Sequence, residues 1–473
     1  MLFSSLEFLF FFVPIAMIIY FCVPSKWRNV VLFAFSLLFY GWGEPTYIFL
    51  MLFTIAIDYF CGLMVGRYVN TDKKKSRRWL ICAVVINLLL LGIFKYADLL
   101  IKTLALIPPL ASLKPLGLTL PIGISFYTFQ ALSYVIDVYR KDTPAQRSAL
   151  IFGTYVVLFP QLIAGPIVRY RDVEKELSSR QTSVALVASG LRTFIAGLCK
   201  KVLLANTMGE LWKSFYETPS DQLSVVAAWL GIICFAFQIY FDFSGYSDMA
   251  IGLGKILGFH FRENFNYPYV ADSITDFWRR WHISLSSWFR EYVYFPLGGS
   301  RCSKLKMFRN LMVVWLLTGF WHGASWNFVL WGIYYGVLLI IEKAFLGKWL
   351  EKLPAVLRHV YTIFFVLIGW WLFVFDGSSE LLTFGAGIEY FKVMFGGSHF
   401  IDGVAVYELV RNLFPIAIMS VACTPYPKRL YYKLYEKHRA TGIIAAVLSV
   451  LGLFLSVCYL VDSSFNPFLY FNF

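Results

Sequence analysis

"LMVVWLLTGFWHGASWNFVLWGIYYGVLLII" (residues 311–341) passes through 31 positions without an Asp, Glu, Lys or Arg. As one straight α-helix it would reach roughly 46 Å, against a bilayer hydrocarbon core of about 30 Å. The run must therefore tilt steeply or break, and Gly323 and Gly332 are the candidate break points. In its middle stands a titratable side chain, His322. Ionisable groups at membrane depth are costly, so they usually face a cavity or a partner.

The rest of the chain has the same character. Of 473 residues, 59% are hydrophobic, 19% aromatic and 15% charged, and the mean hydropathy is +0.65. A soluble protein keeps roughly 25% charged residues. Apolar stretches of about 20 residues recur, as spanning helices require, whereas a membrane β-barrel would show roughly ten-residue alternating segments. The fold expected is all-α, a polytopic transmembrane helical bundle forming one integral membrane domain over 1–473. Early spans are expected at 3–23, 29–42, 46–66 and 79–95. The run Phe8–Val23 has no basic n-region and no A-x-A site, so it reads as a span and not a signal peptide.

The net charge of +14 does not indicate nucleic acid. "RYVNTDKKKSRR" (67–78) and "YPKRLYYKLYEKHR" (426–439) concentrate basic residues in short loops, where the positive-inside rule places them. Contact with anionic lipid headgroups is the expected use. Cytoplasmic placement of 67–78 also puts "PSKWR" (24–28) inside and leaves the Lys- and Arg-free N-terminus outside; at the other end, 428–439 would be cytoplasmic and the uncharged "NPFLYFNF" tail (466–473) outside. The eight cysteines form no CxxC pair, so neither a disulfide framework nor a zinc site is read, and no metal is expected.

The middle of the chain is irregular. "LKPLGLTLPIGISFYTFQ" (113–130) and "LFPQLIAGPIVRY" (158–170) interrupt apolar stretches with Pro and Gly. Broken or re-entrant segments are tolerated at membrane depth where protein or a water-filled cavity surrounds them; kinked ordinary helices are the plainer alternative. Polar residues gather between 238 and 332. "QIYFDFSGYSDMA" (238–250) carries Asp242 and Asp248, and "NFNYPY" (264–269) follows. In "DFWRRWHISLSSWFREYVYFPLGGSR" (276–301), Trp278, His282, Leu285 and Phe289 would share one stripe of a continuous helix. That reads as an interfacial amphipathic helix with Trp rings at headgroup level. His282 could simply satisfy a neighbour within it.

Gly319 and Gly323 make a GxxxG pair around His322, and Gly332 and Gly336 make another. Such glycines let helices or a substrate chain approach closely. If helical, His322 shares its face with Ser325 and Trp326. Burial disfavours a charged imidazole, and a neutral one can accept a proton as a general base. Helix packing alone would also explain the glycines. No G-x-S-x-G, H-E-x-x-H, GxxxxGK[ST] or G-x-G-x-x-G stands in the chain. Intramembrane histidines without a nucleophile motif suggest base-assisted attack by a substrate hydroxyl.

These motifs resemble the membrane-bound O-acyltransferase family, in particular its alginate O-acetyltransferase-like branch, which acetylates bacterial polysaccharides. The resemblance rests on "FWRRWHISLSSWFREYVYFPLGGSR" (277–301), "GFWHGASWNFVLWG" (319–332), "YFDFSGYSDMAIGLGKILGF" (240–259), "PIGISFYTFQALSYVIDVYR" (121–140), "FPQLIAGPIVRY" (159–170) and the opening "MLFSSLEFLFFFVPI". It implies about eleven helices around a thin centre reached by funnels from both faces, with the catalytic core at about 113–345. It implies that His322 is the catalytic histidine and His282 a second required one. Trp321, Ser325, Asn327, Asp242 and Asp248 become candidates for the substrate channel or the oxyanion. No bound cofactor is implied; the donor would be acetyl-CoA or another acyl thioester, and the partner a separate extracytoplasmic SGNH-type acetyltransferase. The protein would be a multi-pass protein of a bacterial cell membrane, surrounded by lipid. The teichoic acid D-alanyl transferase branch shares the histidine pair, although "YFPLGGSR" (294–301) fits the polysaccharide branch better. A proton-coupled transporter or flippase is the alternative from another class.

Overall fold

The computed structural model describes residues 1–163, 165–438, 440–463 and 465–469. Residues 470–473 of the tail expected outside the membrane lie beyond these. Every regular element among the described residues is helical. Among the described residues, six helices are long and apolar enough to cross a bilayer: Ile48–Tyr68, Lys73–Leu104, Val225–Leu257, Trp326–Leu350, Ala355–Val374 and Ala440–Asp462. A seventh apolar unit is broken, with Gly403–Arg411 and Leu413–Ala422 meeting at 57°. The chain is thus an all-helical, integral membrane protein.

Helix Lys73–Leu91 begins six residues before the span expected at 79–95. The Asp72 carboxylate caps it by accepting from the Lys75 amide at 3.0 Å, and Lys and Arg are good helix formers. Hydropathy marks where a helix enters lipid, whereas the cap marks where it starts.

Two compact units divide the chain, one built from residues 1–194, 246–262 and 469, the other from 195–245 and 263–468. The first has an aromatic core in which Phe3, Phe8, Phe12, Phe39 and Phe159 pack ring against ring. Its expected irregular segments are present. Gly123, at φ 72°, opens helix Ile124–Arg140. Helix Ala149–Val157 stops at Leu158, and the short turn Phe159–Leu162 follows. The Phe159 amide freed by that break donates to Ser36 Oγ at 3.1 Å.

The second unit contains the run at 311–341. It breaks between His322 and Trp326, giving helices Lys304–His322 and Trp326–Ile341, which pack against one another. Gly332 is therefore not a break. A Cβ on Gly332 would lie 2.5 Å from the Trp315 carbonyl oxygen, and one on Gly319 would strike the Phe328 carbonyl. These two glycines let the helix backbones touch, as small residues do in membranes.

Candidate active site

The segment 276–301 is not one helix. Helix Ile274–Arg280 ends where Trp281 turns extended, and His282 adopts φ 43°, ψ 55° before helix Ile283–Phe289 begins. The stripe expected to join Trp278, His282, Leu285 and Phe289 is therefore broken at the histidine itself. A positive φ is uncommon outside glycine and tends to occur at functional sites. Both flanks are fastened. The first turn of Ile274–Arg280 is capped by Ser273 Oγ, which accepts from the Asp276 amide at 3.0 Å. The buried Glu342 carboxylate accepts from the Ile274 and Thr275 amides at 2.7 and 2.8 Å and from Thr275 Oγ1 at 2.6 Å. Beyond the helix, the Asn266 amide donates to the Arg280 carbonyl and the Ile283 amide to the Asn264 carbonyl, both at 2.9 Å.

His282 is 1% exposed. Its Nδ1 lies 3.1 Å from Asn264 Oδ1, and its ring meets Phe243 edge-on at 4.7 Å. Burial pushes this imidazole down to about 3, because a charged ring there would lose its hydration.

His322 closes helix Lys304–His322 and is 2% exposed. Aromatic rings surround it: Trp331 at 5.0 Å, Trp321 at 5.1 Å, Phe373 at 5.3 Å and Phe328 at 6.5 Å. The ring faces protein and not lipid. Gly323 is required by space, since its Cβ would collide with the Phe328 ring. Trp321 also lies 5.8 Å from His282. One indole therefore touches both imidazoles, which stand 40 positions apart in the chain.

The remaining candidates divide. Because the helix stops at His322, Ser325 does not share its helical face; Ser325 occupies the N-cap position of helix Trp326–Ile341. Asn327 is buried, and its amide Nδ2 donates to the Leu372 carbonyl at 3.1 Å, tying that helix to Ala355–Val374. Asp242 forms a buried ion pair with Lys201 at 2.6 Å. Lys201 also donates to Asn206 Oδ1 at 3.0 Å and to the Pro467 carbonyl. Asp248, further along the same helix, belongs to the first unit.

A cavity of about 990 Å³ opens elsewhere in the second unit, bordered by Phe237, Tyr269, Asp276, Arg280, His359 and Leu367, with neither motif histidine in its wall. Trp370 stands beside it, donating to Tyr269 Oη at 3.0 Å, with its ring 5.7 Å from Phe373.

Three residues that shape the site received no role from sequence reasoning: Asn264, Lys201 and Glu342. Two carried a visible signal. Lys200 and Lys201 interrupt the apolar run "AGLCKKVLLA" (196–205), and Glu342 is the first Asp, Glu, Lys or Arg after 32 positions without one.

Residues 144–384 match the family model described as MBOAT, membrane-bound O-acyltransferase family. A protein of Pseudomonas putida named "Probable alginate O-acetylase AlgI" is 37% identical, covering 100% of both chains. Its namesake in Pseudomonas aeruginosa is 43% identical over 79% of this chain and 72% of its own. The peptidoglycan O-acetyltransferase of Helicobacter pylori is 33% identical over 87% of this chain and 82% of its own. With both histidine motifs inside the matched region, the chain belongs to the membrane-bound O-acyltransferase family and is an acyltransferase enzyme.

Proposed function

We propose that this protein moves an acetyl group from a cytoplasmic thioester, acetyl-CoA in the simplest case, across the membrane for O-acetylation of an extracytoplasmic polysaccharide. The observation that carries the reading is the meeting of two buried histidines on one tryptophan: His282 and His322 both pack against Trp321. A pair of enclosed imidazoles suits proton transfer more than structural support, since packing alone would be served by an apolar ring.

His322 acts as general base. It takes the proton of the attacking hydroxyl as that oxygen bonds to the thioester carbonyl carbon. The C–S bond then breaks, and the thiol leaves with the proton. Base assistance of this kind typically contributes roughly 10²–10⁴-fold. Trp321 and Phe373 close over the imidazole, so turnover requires one ring to rotate aside. Ser325 and the Asn327 side chain, at the start of the following helix, are the nearest candidates along the chain for oxyanion contacts. The attacking hydroxyl belongs to an intermediate carrier, and the final acceptor is an alginate-like exopolysaccharide or a cell-wall glycan, as the names of the relatives suggest. Final transfer is made by a separate extracytoplasmic SGNH-type acetyltransferase.

The test is transfer from labelled acetyl-CoA by the purified protein, wild type against His322→Ala, with folding checked by thermal melting. Loss of labelled product in a folded variant supports the reading. Full transfer by the variant refutes it, as does ion-gradient-driven uptake by wild type with no acetyl transfer.

A further inference from the structure

The hydrogen bonds around His282 contain more information than its burial. Asn264 Oδ1 lies at their centre, 3.1 Å from the Ser284 amide nitrogen, 2.8 Å from Ser284 Oγ and 3.1 Å from His282 Nδ1. Of these groups, the Ser284 backbone amide alone has a proton that cannot be reassigned. It must point at an acceptor, which fixes the Asn264 side chain with its oxygen, and not its NH₂, toward the cluster. With the oxygen so placed, an Nδ1 lacking a proton would set two lone pairs against each other at 3.1 Å. The alternative donor to Nδ1, Ser284 Oγ, is 3.4 Å from it and only 2.8 Å from Asn264 Oδ1, so its hydroxyl proton goes to the asparagine. Asn264 is itself buried, and its backbone carbonyl accepts from the Ile283 amide. One residue thus grips the His282 ring and the backbone of the two residues that follow it.

We infer that Asn264 is the positioning residue of this site: it holds His282 as the Nδ1–H tautomer and so turns Nε2 into the proton-accepting edge of the ring. The consequence, which rests on the acyl-transfer reading above, is chemical. A neutral His282 cannot polarise a carbonyl through Nε2, which has no proton to donate. It serves as an acceptor, holding the proton of a hydroxyl or thiol. The same sharing of labour is common where a second group fixes which imidazole nitrogen does the work.

The experiment is nitrogen NMR of the full-length protein with ¹⁵N-histidine in lipid bilayers, the His282 signals being assigned by their loss in His282→Gln. The expected result is a protonated Nδ1 and an unprotonated Nε2 at neutral pH, with a mixture of tautomers in Asn264→Ala. A protonated Nε2 in wild type overturns the inference, and so does an Nδ1–H signal unmoved by Asn264→Ala. Asn264→Asp serves where the alanine variant fails to fold. It keeps the acceptor and adds a charge, so the tautomer persists while the pH at which His282 titrates rises by at least one unit. An unmoved titration overturns the inference as well. Acetyl transfer is read separately: Asn264→Ala should lower kcat tenfold or more with KM for acetyl-CoA unchanged. Should the tautomer shift as expected while kcat stays at the wild-type value, the catalytic role given to His282 falls and the assignment of Asn264 stands.

Discussion

The two histidines are buried to the same degree and held in opposite ways. His282 sits at a strained turn, gripped by a polar side chain at one ring nitrogen and fastened through backbone hydrogen bonds on both flanks. His322 sits at the end of a regular helix inside a cage of four aromatic rings. A hydrogen bond specifies where a proton resides. An aromatic cage specifies where a ring can lie. On the acyl-transfer reading proposed above, the pair divides the work between a fixed acceptor, His282, and a base, His322, whose protonation changes during turnover. This division predicts that changes in polarity fall hardest on the His282 side and changes in volume on the His322 side.

The largest effect is expected behind His282. Phe243, whose ring meets His282, follows Asp242, which is locked to Lys201 in the protein interior. Lys201→Met takes the ammonium away from a buried carboxylate and should destabilise by about 3–5 kcal/mol. The double variant Lys201→Met/Asp242→Leu should recover most of that loss, because no buried charge is left. Chemical denaturation in detergent measures both; an unrecovered double variant would show that shape and not charge holds this region. Gly332→Ala comes next, at about 3 kcal/mol, since its methyl meets the rigid Trp315 carbonyl at 2.5 Å and the helices must part. Gly323→Ala meets the Phe328 ring first, a side chain and not a backbone carbonyl, and should cost about 1–3 kcal/mol. Because its φ is −174°, the methyl strains no backbone. Phe328→Leu should therefore rescue it, and acetyl transfer should return with stability. Failure of that rescue would mean that the cage does not act through volume.

Much of this could be read from composition and motif. The all-helical membrane fold follows from the apolar run lengths, and the need for 311–341 to tilt or break follows from helix length against bilayer thickness. The irregular segments near 113–130 and 158–170 follow from their Pro and Gly residues. What could not be read was local geometry dictated by partners distant in sequence. Helical periodicity placed Trp278, His282 and Leu285 on one stripe. It could not register that Asn264, 18 positions earlier, would pull the chain into a left-handed turn at the histidine. Likewise Gly332 looked like a breaker, because a glycine that ends a helix and one that lets two helices touch are the same letter. Asp242 looked like a channel candidate until tertiary packing supplied Lys201 as its partner. Patterns along the chain carry the fold; contacts across it set the chemistry.

The prediction whose effect is smallest near neutral pH tests the polar grip by titration. In the folded protein the His282 imidazole is pushed down to about 3, whereas in the unfolded chain it titrates near its ordinary value of about 6.5. Between those two values the unfolded chain binds a proton that the native site refuses. Stability must therefore fall as pH drops through that window, by up to about 1.4 kcal/mol per pH unit, and be independent of this group above it. His282→Gln removes the titrating ring and keeps a donor for Asn264. The other five histidines are common to both proteins, so their titrations cancel in the comparison. Melting temperatures of wild type and His282→Gln should run parallel from pH 8 to pH 7 and diverge below pH 6, with the wild type losing more. If the curves stay parallel down to pH 4, His282 is exchanging protons with solvent, and the contrast between its enclosed polar grip and the aromatic cage of His322 does not hold.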